Sequence, residues 1–219
     1  MLCNITLVSP GTVPAVCFFQ IQSEAIFKQE SAMHENYDLL TPQRCCLMIV
    51  DPQERLMAAI YKAERVVRQA GLLIHCAKTL EIPILATTQY KKGLGPFVPE
   101  LEEMLSDVPC IDKIEFNGFA NAAVRSMMDS LPKTVDTVLL AGAEAHICIF
   151  QTAMGALRSG YQPWIAADAI SSREKRNAKL AVNRMQALGM TVGPTEMAVY
   201  ELLRKAGSPA FKAMLPHLK

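Results

Sequence analysis

One stretch of the chain, residues 138–160, predicts a buried strand, a tight turn and a helix in direct succession. Its opening run of valine and leucine is of the kind that a parallel strand buried on both faces shows. Gly142 and Ala143 let the backbone turn sharply, and apolar residues then recur at helical spacing up to a terminating Gly160. Cys148 therefore lies in the first turn of a predicted helix, where unpaired amides and the helix dipole favour a thiolate.

Apolar runs alternate with segments of helical periodicity along most of the chain. Strands are predicted at residues 45–51, 83–88, 110–114, 135–143, 162–169 and 190–193. Helices are predicted at residues 62–81, 100–105, 120–131, 146–159, 174–188 and 195–203, the last capped by Thr195. This alternation predicts a Rossmann-like, doubly wound α/β fold in three layers, with a six-stranded parallel sheet and helices on both faces.

The two ends of the chain differ from this central pattern. Residues 1–40 are apolar but broken by prolines and a glycine, and no helical or strand period persists through them. We predict a weakly ordered extension there, or an arm that packs on a neighbouring subunit through Phe18 and Phe19. Residues 41–205 then form one domain, and residues 206–219 form a polar tail or a short helix.

Charge and cysteine usage exclude several classes of function. The chain of 219 residues has a net charge of +1 and no basic block, so we expect no nucleic-acid partner. No apolar run approaches the length of a membrane span, so we expect no membrane contact. The seven cysteines include no CxxC pair, which favours reduced thiols in a cytoplasmic protein. Cys45, Cys46 and Cys76 are expected to fill the core.

Three reactive side chains, Asp51, Lys113 and Cys148, are predicted at the carboxyl ends of strands, where doubly wound sheets bind ligands. Taken singly, such an aspartate is more often a turn residue, the lysine a solvated charge, and the cysteine structural. Together they supply a base, a cation and a nucleophile, which is the set that thiol catalysis requires.

From about residue 43 to residue 204, the chain resembles the isochorismatase-like cysteine hydrolases. The resemblance is carried by LMIVDPQERL, the lysine of DKIEFNGF, GAEAHICIFQTAMGALRSGY and ADAISSR. The segment TTQYKKGLGPFVPEL is most similar to the isochorismatase domain-containing proteins. The resemblance implies a catalytic triad of Asp51, Lys113 and Cys148, which cleaves a small-molecule carboxamide or related C–N bond through a thioester and needs no cofactor.

The resemblance also implies a non-proline cis peptide between Ala143 and Glu144. Such a bond turns the Glu144 amide inward, beside the amide of Cys148, so that the two form an oxyanion hole. The alternative is an ordinary trans turn in which Glu144 is an acid of the first helical turn.

Five further residues are candidates for contact with the substrate, namely Gln53, Gln89, Tyr90, Asn117 and Phe119. The first three can instead fix loops. Nicotinamidases carry an Asp-x-His and further histidines beside the site, whereas this chain has TTQY there and no histidines spaced as ligands. We therefore expect no metal, and we interpret His146 as a surface residue or a support of the site.

Two other classes of function stay open beside a small-molecule hydrolase. The first is a catalytically idle, oligomeric interaction protein that keeps the hydrolase fold. The second is a thiol redox sensor based on Cys148, for which no CxxC pair supplies a resolving thiol. Apolar residues in the later helices favour a homo-oligomer in any of these cases.

Overall fold

The computed structural model describes residues 39–218, which are built around a parallel sheet. Its strands are β1 Cys45–Val50, β2 Ile84–Gln89, β3 Cys110–Lys113, β4 Thr137–Ala143, β5 Gln162–Ser171 and β6 Thr191–Gly193. Their order is β3-β2-β1-β4-β5-β6, and every neighbouring pair is parallel. The direction of winding reverses between β1 and β4, which is the kind of switch point at which such sheets bind ligands. The predicted doubly wound α/β fold is confirmed.

Helices cover both faces of this sheet. They are α1 Glu54–Met57, α2 Ala63–Thr79, α3 Lys91–Leu94, α4 Pro99–Glu102, α5 Ala122–Asp129, α6 Phe150–Arg158, α7 Lys175–Ala187, α8 Thr195–Leu203 and α9 Pro209–Met214. A π-helical turn, Ala145–Ile149, leads into α6. The apolar core on one face is shared with α2, α8 and α9, and the core on the other face with α5, α6 and α7.

Strand β1 contributes side chains to both cores, because its successive side chains point to opposite faces of the sheet. The residues that face α2 are Cys45, Leu47 and Ile49. The residues that face α6 are Cys46, Met48 and Val50. All six are buried, which explains why this strand is a continuous apolar run. Cys76 is also buried, so the three cysteines that were expected in the core are found there.

The predicted end of β5 is wrong. The strand continues to Ser171, because its pairing with β4 shifts register between Leu140 and Gly142 and then resumes. Asp168 is consequently inside the strand. It accepts hydrogen bonds at 2.7 Å from both the backbone N–H and the hydroxyl of Thr195.

Thr195 is therefore the first residue of α8 and not its cap. Pro194 occupies the cap position, and no side-chain hydrogen bond caps the helix from there. The first N–H groups of a helix have no partner within the helix. The Asp168 carboxylate, which β5 contributes from outside, satisfies that need.

The loop predicted after β2 contains one additional helix, α3. The helix predicted at residues 100–105 is α4, which begins at Pro99, in a first turn where proline is favoured, and ends at Glu102. At the C-terminal end, Met214 of α9 is fully buried against the α2 core, so the short-helix alternative is found there. The expectations for the N-terminal extension, including Phe18 and Phe19, fall outside the described residues. Within residues 39–218, no helix has the length and apolar character that crossing a membrane requires.

Candidate active site

Asp51 follows β1 directly and lies at the switch point of the sheet. Its backbone has a φ of 54° and donates a hydrogen bond to the Thr87 carbonyl at 3.0 Å. The carboxylate is completely buried, and each of its oxygens has a partner. Oδ1 accepts from the Thr87 hydroxyl at 2.7 Å, and Oδ2 accepts from Lys113 Nζ at 2.7 Å.

Lys113 is the last residue of β3, which lies on the far side of β2 from Asp51. Its side chain is fully buried, although a lysine is ordinarily a surface residue. Nζ donates to Asp51 Oδ2 and, at 2.8 Å, to Gln89 Oε1. A buried ammonium group requires such partners, because an unpaired buried charge is very unfavourable.

Cys148 lies in the π-helical turn that precedes α6, where the sequence predicted the first turn of an α-helix. The residue is 5% exposed, and the Asp51 carboxyl and the backbone of Glu144 lie near enough to its sulfur to affect the pKa of the thiol. Glu144 accepts hydrogen bonds from the N–H groups of Ile147 and Ile149, which close the turn around the cysteine. The structure therefore brings Asp51, Lys113 and Cys148 together in one buried cluster.

The surroundings of Cys148 oppose the thiolate that a helix start favours. Burial, and after it the Asp51 charge, raise the pKa of the Cys148 thiol from its ordinary value of 9.0 to about 12. The Lys113 ammonium opposes this rise without overcoming it. Burial also raises the pKa of Asp51, against the opposing effects of Lys113, Thr87 and Cys148. The burial of the site thus favours a Cys148 thiol that keeps its proton.

The turn between β4 and Cys148 has the expected backbone geometry, since the Ala143–Glu144 peptide is cis. Gly142 precedes it with a φ of 127°, and a Cβ atom there would lie 2.0 Å from the Val50 carbonyl oxygen. Only glycine fits such a close approach. The Glu144 carboxylate is buried and accepts from the backbone N–H and from Nε of Arg173, both at 3.1 Å.

The carboxyl end of β5 also supports this turn. His146 Nδ1 lies 2.8 Å from the Ser172 hydroxyl oxygen, which agrees with a supporting role for the histidine. The Ser171 hydroxyl donates to the Tyr61 carbonyl at 2.7 Å, and the Tyr61 N–H donates to the Ser172 carbonyl at 3.0 Å. Sequence reasoning did not find Ser171, Ser172 and Tyr61 as supports, because their contacts depend on the extension of β5 beyond its predicted end.

Two of the predicted substrate residues, Gln53 and Gln89, have amide groups that are already engaged within the protein. The fully buried Gln53 accepts from the Gln89 N–H at 2.7 Å and donates to the Gly95 carbonyl at 2.8 Å. Gln89 accepts from Lys113 and donates to the Ile114 carbonyl at 2.8 Å. Gln53 therefore fixes loops, and Gln89 contacts Lys113 directly.

The other three predicted substrate residues differ in exposure. Tyr90 is half exposed, follows Gln89 and has a left-handed backbone with a φ of 44°. Asn117 accepts from the Phe119 N–H at 2.9 Å and so caps the short helical turn Gly118–Ala120. Phe119 is buried in the α6 core, 5.7 Å from the Tyr161 ring. Asn117 and Phe119 thus hold the loop after β3 against the core.

The part of the chain from residue 39 to residue 218 has no group of three or more histidine, cysteine, aspartate or glutamate side chains that could hold a metal ion. Both oxygens of Asp51 are taken by Thr87 and Lys113, and His146 is engaged with Ser172. The expectation that the protein needs no metal for activity remains a prediction.

Comparison with known proteins relates this site to a family. The family model for the Isochorismatase domain matches residues 45–197. The mouse isochorismatase domain-containing protein 2B is 34% identical over 178 residues, which cover 81% of this chain and 82% of that protein. The secreted isochorismatase effector Isc1 of Phytophthora sojae is 31% identical over 183 residues, which cover 82% and 87%.

A solved structure agrees with the sequence relatives. The MAR1 ribonuclease of Caenorhabditis elegans superposes with a TM-score of 0.76 and 30% sequence identity, and the match covers 82% of this chain and 92% of that chain. The fold is thus that of the isochorismatase-like hydrolases, with the buried cluster at its switch point. From the family match and these relatives together, we conclude that the chain belongs to the isochorismatase family.

Proposed function

We propose that this protein is a cysteine hydrolase that cleaves a carboxamide, or a related C–N bond, of a small molecule through a thioester on Cys148. One observation carries the proposal. A buried thiol lies near enough to Asp51 for the carboxylate to raise the pKa of the thiol, and Asp51 Oδ2 accepts from the ammonium of Lys113 at 2.7 Å. A nucleophile in contact with a base, and a base oriented by a third group, is the arrangement of covalent catalysis.

In the first half of the reaction, Asp51 accepts the thiol proton while the sulfur of Cys148 attacks the carbonyl carbon. Lys113 stabilises the carboxylate before the transfer and keeps its Oδ2 in place. The carbonyl electrons move onto oxygen, and the amides of Glu144 and Cys148 donate hydrogen bonds to the resulting oxyanion. The C–N bond then breaks, and the amine or ammonia leaves with the proton from Asp51.

In the second half, water attacks the thioester carbonyl and Asp51 accepts one of its protons. The C–S bond breaks, and the sulfur of Cys148 takes that proton back from Asp51. One amide and one water thus become one carboxylic acid and one amine. No cofactor or metal takes part in this scheme.

The burial of the cluster favours a small substrate. Cys148 is 5% exposed, so little of its surface is open to a substrate carbonyl. A large polymer chain would need a wider opening. The nematode neighbour is named a ribonuclease, but this chain has a net charge of +1, and binding to phosphate backbones depends on clustered basic residues. We therefore propose no nucleic-acid partner.

A homo-oligomer in the cytoplasm is part of the proposal. Large apolar side chains are exposed on the later helices, namely Leu157, Leu180, Met197 and Tyr200. Such side chains favour an interface with another copy of the chain. The five cysteines within the described residues are free, which agrees with a reducing compartment. Light scattering of the purified chain and fractionation of cells test these two points.

The catalytic proposal is tested with a panel of small primary amides, by measuring ammonia release. We expect wild type to release ammonia from at least one aliphatic or aromatic amide, and Cys148→Ala to release none. Cys110→Ala is the matched control, because Cys110 is exposed and lies at the opposite end of β3 from Lys113. Equal rates in wild type and Cys148→Ala would contradict the mechanism. An inert wild-type chain that still assembles would favour the interaction protein, and cleavage of an added RNA would favour a nuclease.

A further inference from the structure

Lys113 has two partners within hydrogen-bond distance of Nζ, and the triad accounts for one of them. The ammonium donates to Asp51 Oδ2 at 2.7 Å and to Gln89 Oε1 at 2.8 Å. Because its side chain is fully buried, these contacts set the direction in which its protons point. Gln89 therefore bears directly on the geometry of the ion pair.

The amide of Gln89 is itself held in one orientation. Its Nε2 donates to the Ile114 carbonyl at 2.8 Å, and a reversed amide would place an oxygen against that carbonyl and an NH2 group against the ammonium. Its backbone N–H donates to Gln53 Oε1 at 2.7 Å, and Gln53 Nε2 donates to the Gly95 carbonyl at 2.8 Å. The side-chain amide of Gln53 thus links the Gly95 carbonyl to the backbone of Gln89, whose own side chain contacts Lys113.

Gln53, in the loop after β1, is held firmly in place. Gln53 is fully buried, and its backbone pairs with Phe97 across an isolated antiparallel bridge. The backbone just before Gln53 is fixed as well, since the N–H of Val98 donates to the Pro52 carbonyl at 3.0 Å. The position of Gln89 is therefore determined by the same loop that follows Asp51.

The charge balance around Lys113 depends on Gln89 being neutral. Among the described residues, Asp51 supplies the only carboxylate within ion-pair distance of Nζ. Glu115 also interacts with the ammonium electrostatically, but it is partly exposed, and its carboxylate accepts from Asn121 at 3.1 Å and from the Ile114 N–H at 3.2 Å. A second carboxylate at position 89 would divide the ammonium between two anions and would add negative charge beside Cys148.

We propose that Gln89, fixed by Gln53, is a positioning residue that holds the Lys113 ammonium against Asp51 and keeps its charge available to the Cys148 sulfur. This inference rests on the proposed catalytic role of the triad. It assigns Gln89 to the machinery of the lysine and not to contact with the substrate. An amide is suited to this place because it accepts from the ammonium without competing with Asp51 for its charge.

The test uses the rate at which iodoacetamide alkylates Cys148, followed by peptide mass spectrometry so that other cysteines do not interfere. This readout needs no knowledge of the substrate. In Gln89→Glu, which keeps the size of the side chain, the added charge disfavours the thiolate, and we expect alkylation at neutral pH to be slower by about tenfold. Gln186→Glu is the matched control, because Gln186 is exposed on α7, and its rate should equal that of wild type.

Gln89→Met is the second variant, since it removes both amide hydrogen bonds without adding charge. We expect it also to alkylate several-fold more slowly than wild type, because Nζ loses its second partner. Circular dichroism establishes that each variant is folded before its rate is compared. A folded Gln89→Glu or Gln89→Met that alkylates at the wild-type rate would overturn the proposal. Slower alkylation in both variants would support it even if no amide proved to be a substrate, in which case only the proposed reaction would fail.

Discussion

Lys113 Nζ lies 2.7 Å from Asp51 Oδ2, and both side chains are fully buried although they come from strands on either side of β2. Removing one partner of a buried ion pair is strongly destabilising, because it leaves an uncompensated charge. The pair is therefore expected to matter for folding as well as for chemistry. Variants that remove one partner or both separate the two effects.

Lys113→Met should lower the free energy of unfolding by about 3–5 kcal/mol at neutral pH, because Asp51 is left buried without a cation. The loss should diminish in acid. Burial raises the pKa of Asp51, so its protonated form suits the folded state and the variant loses stability as pH rises. Urea unfolding at several pH values measures this. Lys113→Met combined with Asp51→Leu should recover most of the loss, and an equally unstable double variant would contradict the account.

Cys148 should show no thiolate at neutral pH. Burial raises the pKa of its thiol from 9.0 to about 12, so the folded state keeps the proton to higher pH than the unfolded chain does. The stability that this provides is fully present below pH 9.0 and is lost as pH rises toward 12. The difference in thiolate absorbance between wild type and Cys148→Ala, followed against pH, measures the titration. A thiolate signal at neutral pH in the free protein would contradict this prediction.

Gly142→Ala should be far more damaging than a substitution at another glycine with positive φ. Its φ is 127°, and a Cβ atom would lie 2.0 Å from the Val50 carbonyl oxygen, so β1 and β4 must separate to admit it. At Gly160 the φ is 85° and nothing lies within 4 Å, so Gly160→Ala should cost only about 1–2 kcal/mol of backbone strain. Thermal melting compares the two variants. Similar melting temperatures would show that the β1–β4 contact is more adaptable than described.

Incubation with a strong chelator should leave amide hydrolysis unchanged. The mechanism assigns every proton transfer to Asp51 and every charge contact to Lys113 and backbone amides. Activity that is lost with the chelator and restored by one divalent metal would contradict this assignment. Metal analysis of the active protein provides an independent check.

The fold could be predicted from the sequence because strands buried on both faces are continuous apolar runs, as in β1 and β4. The proximity of Asp51, Lys113 and Cys148 could be predicted because each was placed near the carboxyl end of a strand, and the family resemblance implied that they form a triad. The family resemblance also predicted the cis peptide before Glu144. These features depend on local pattern and on position relative to strand ends.

The raised pKa of the Cys148 thiol and the contact of Gln89 with Lys113 could not be obtained in this way. A helix start favours a thiolate only where burial does not oppose it, and burial depends on tertiary packing around the turn. Gln89 could not be distinguished from a substrate contact, because its partner on β3 is 24 positions away in sequence. The Thr87 hydroxyl on Asp51 was missed for the same reason, since strand pairing brings it there.

Acid quenching of wild type during turnover of an amide, followed by intact-protein and peptide mass spectrometry, tests the central claim most directly. The account predicts a covalent adduct on Cys148 that has the mass of the acyl part of the substrate without its amine, and that is released by hydroxylamine as a thioester is. Cys148→Ala should carry no adduct and release no ammonia. Sustained ammonia release with Cys148 unmodified at every quench time, or undiminished turnover by Cys148→Ala, would contradict it.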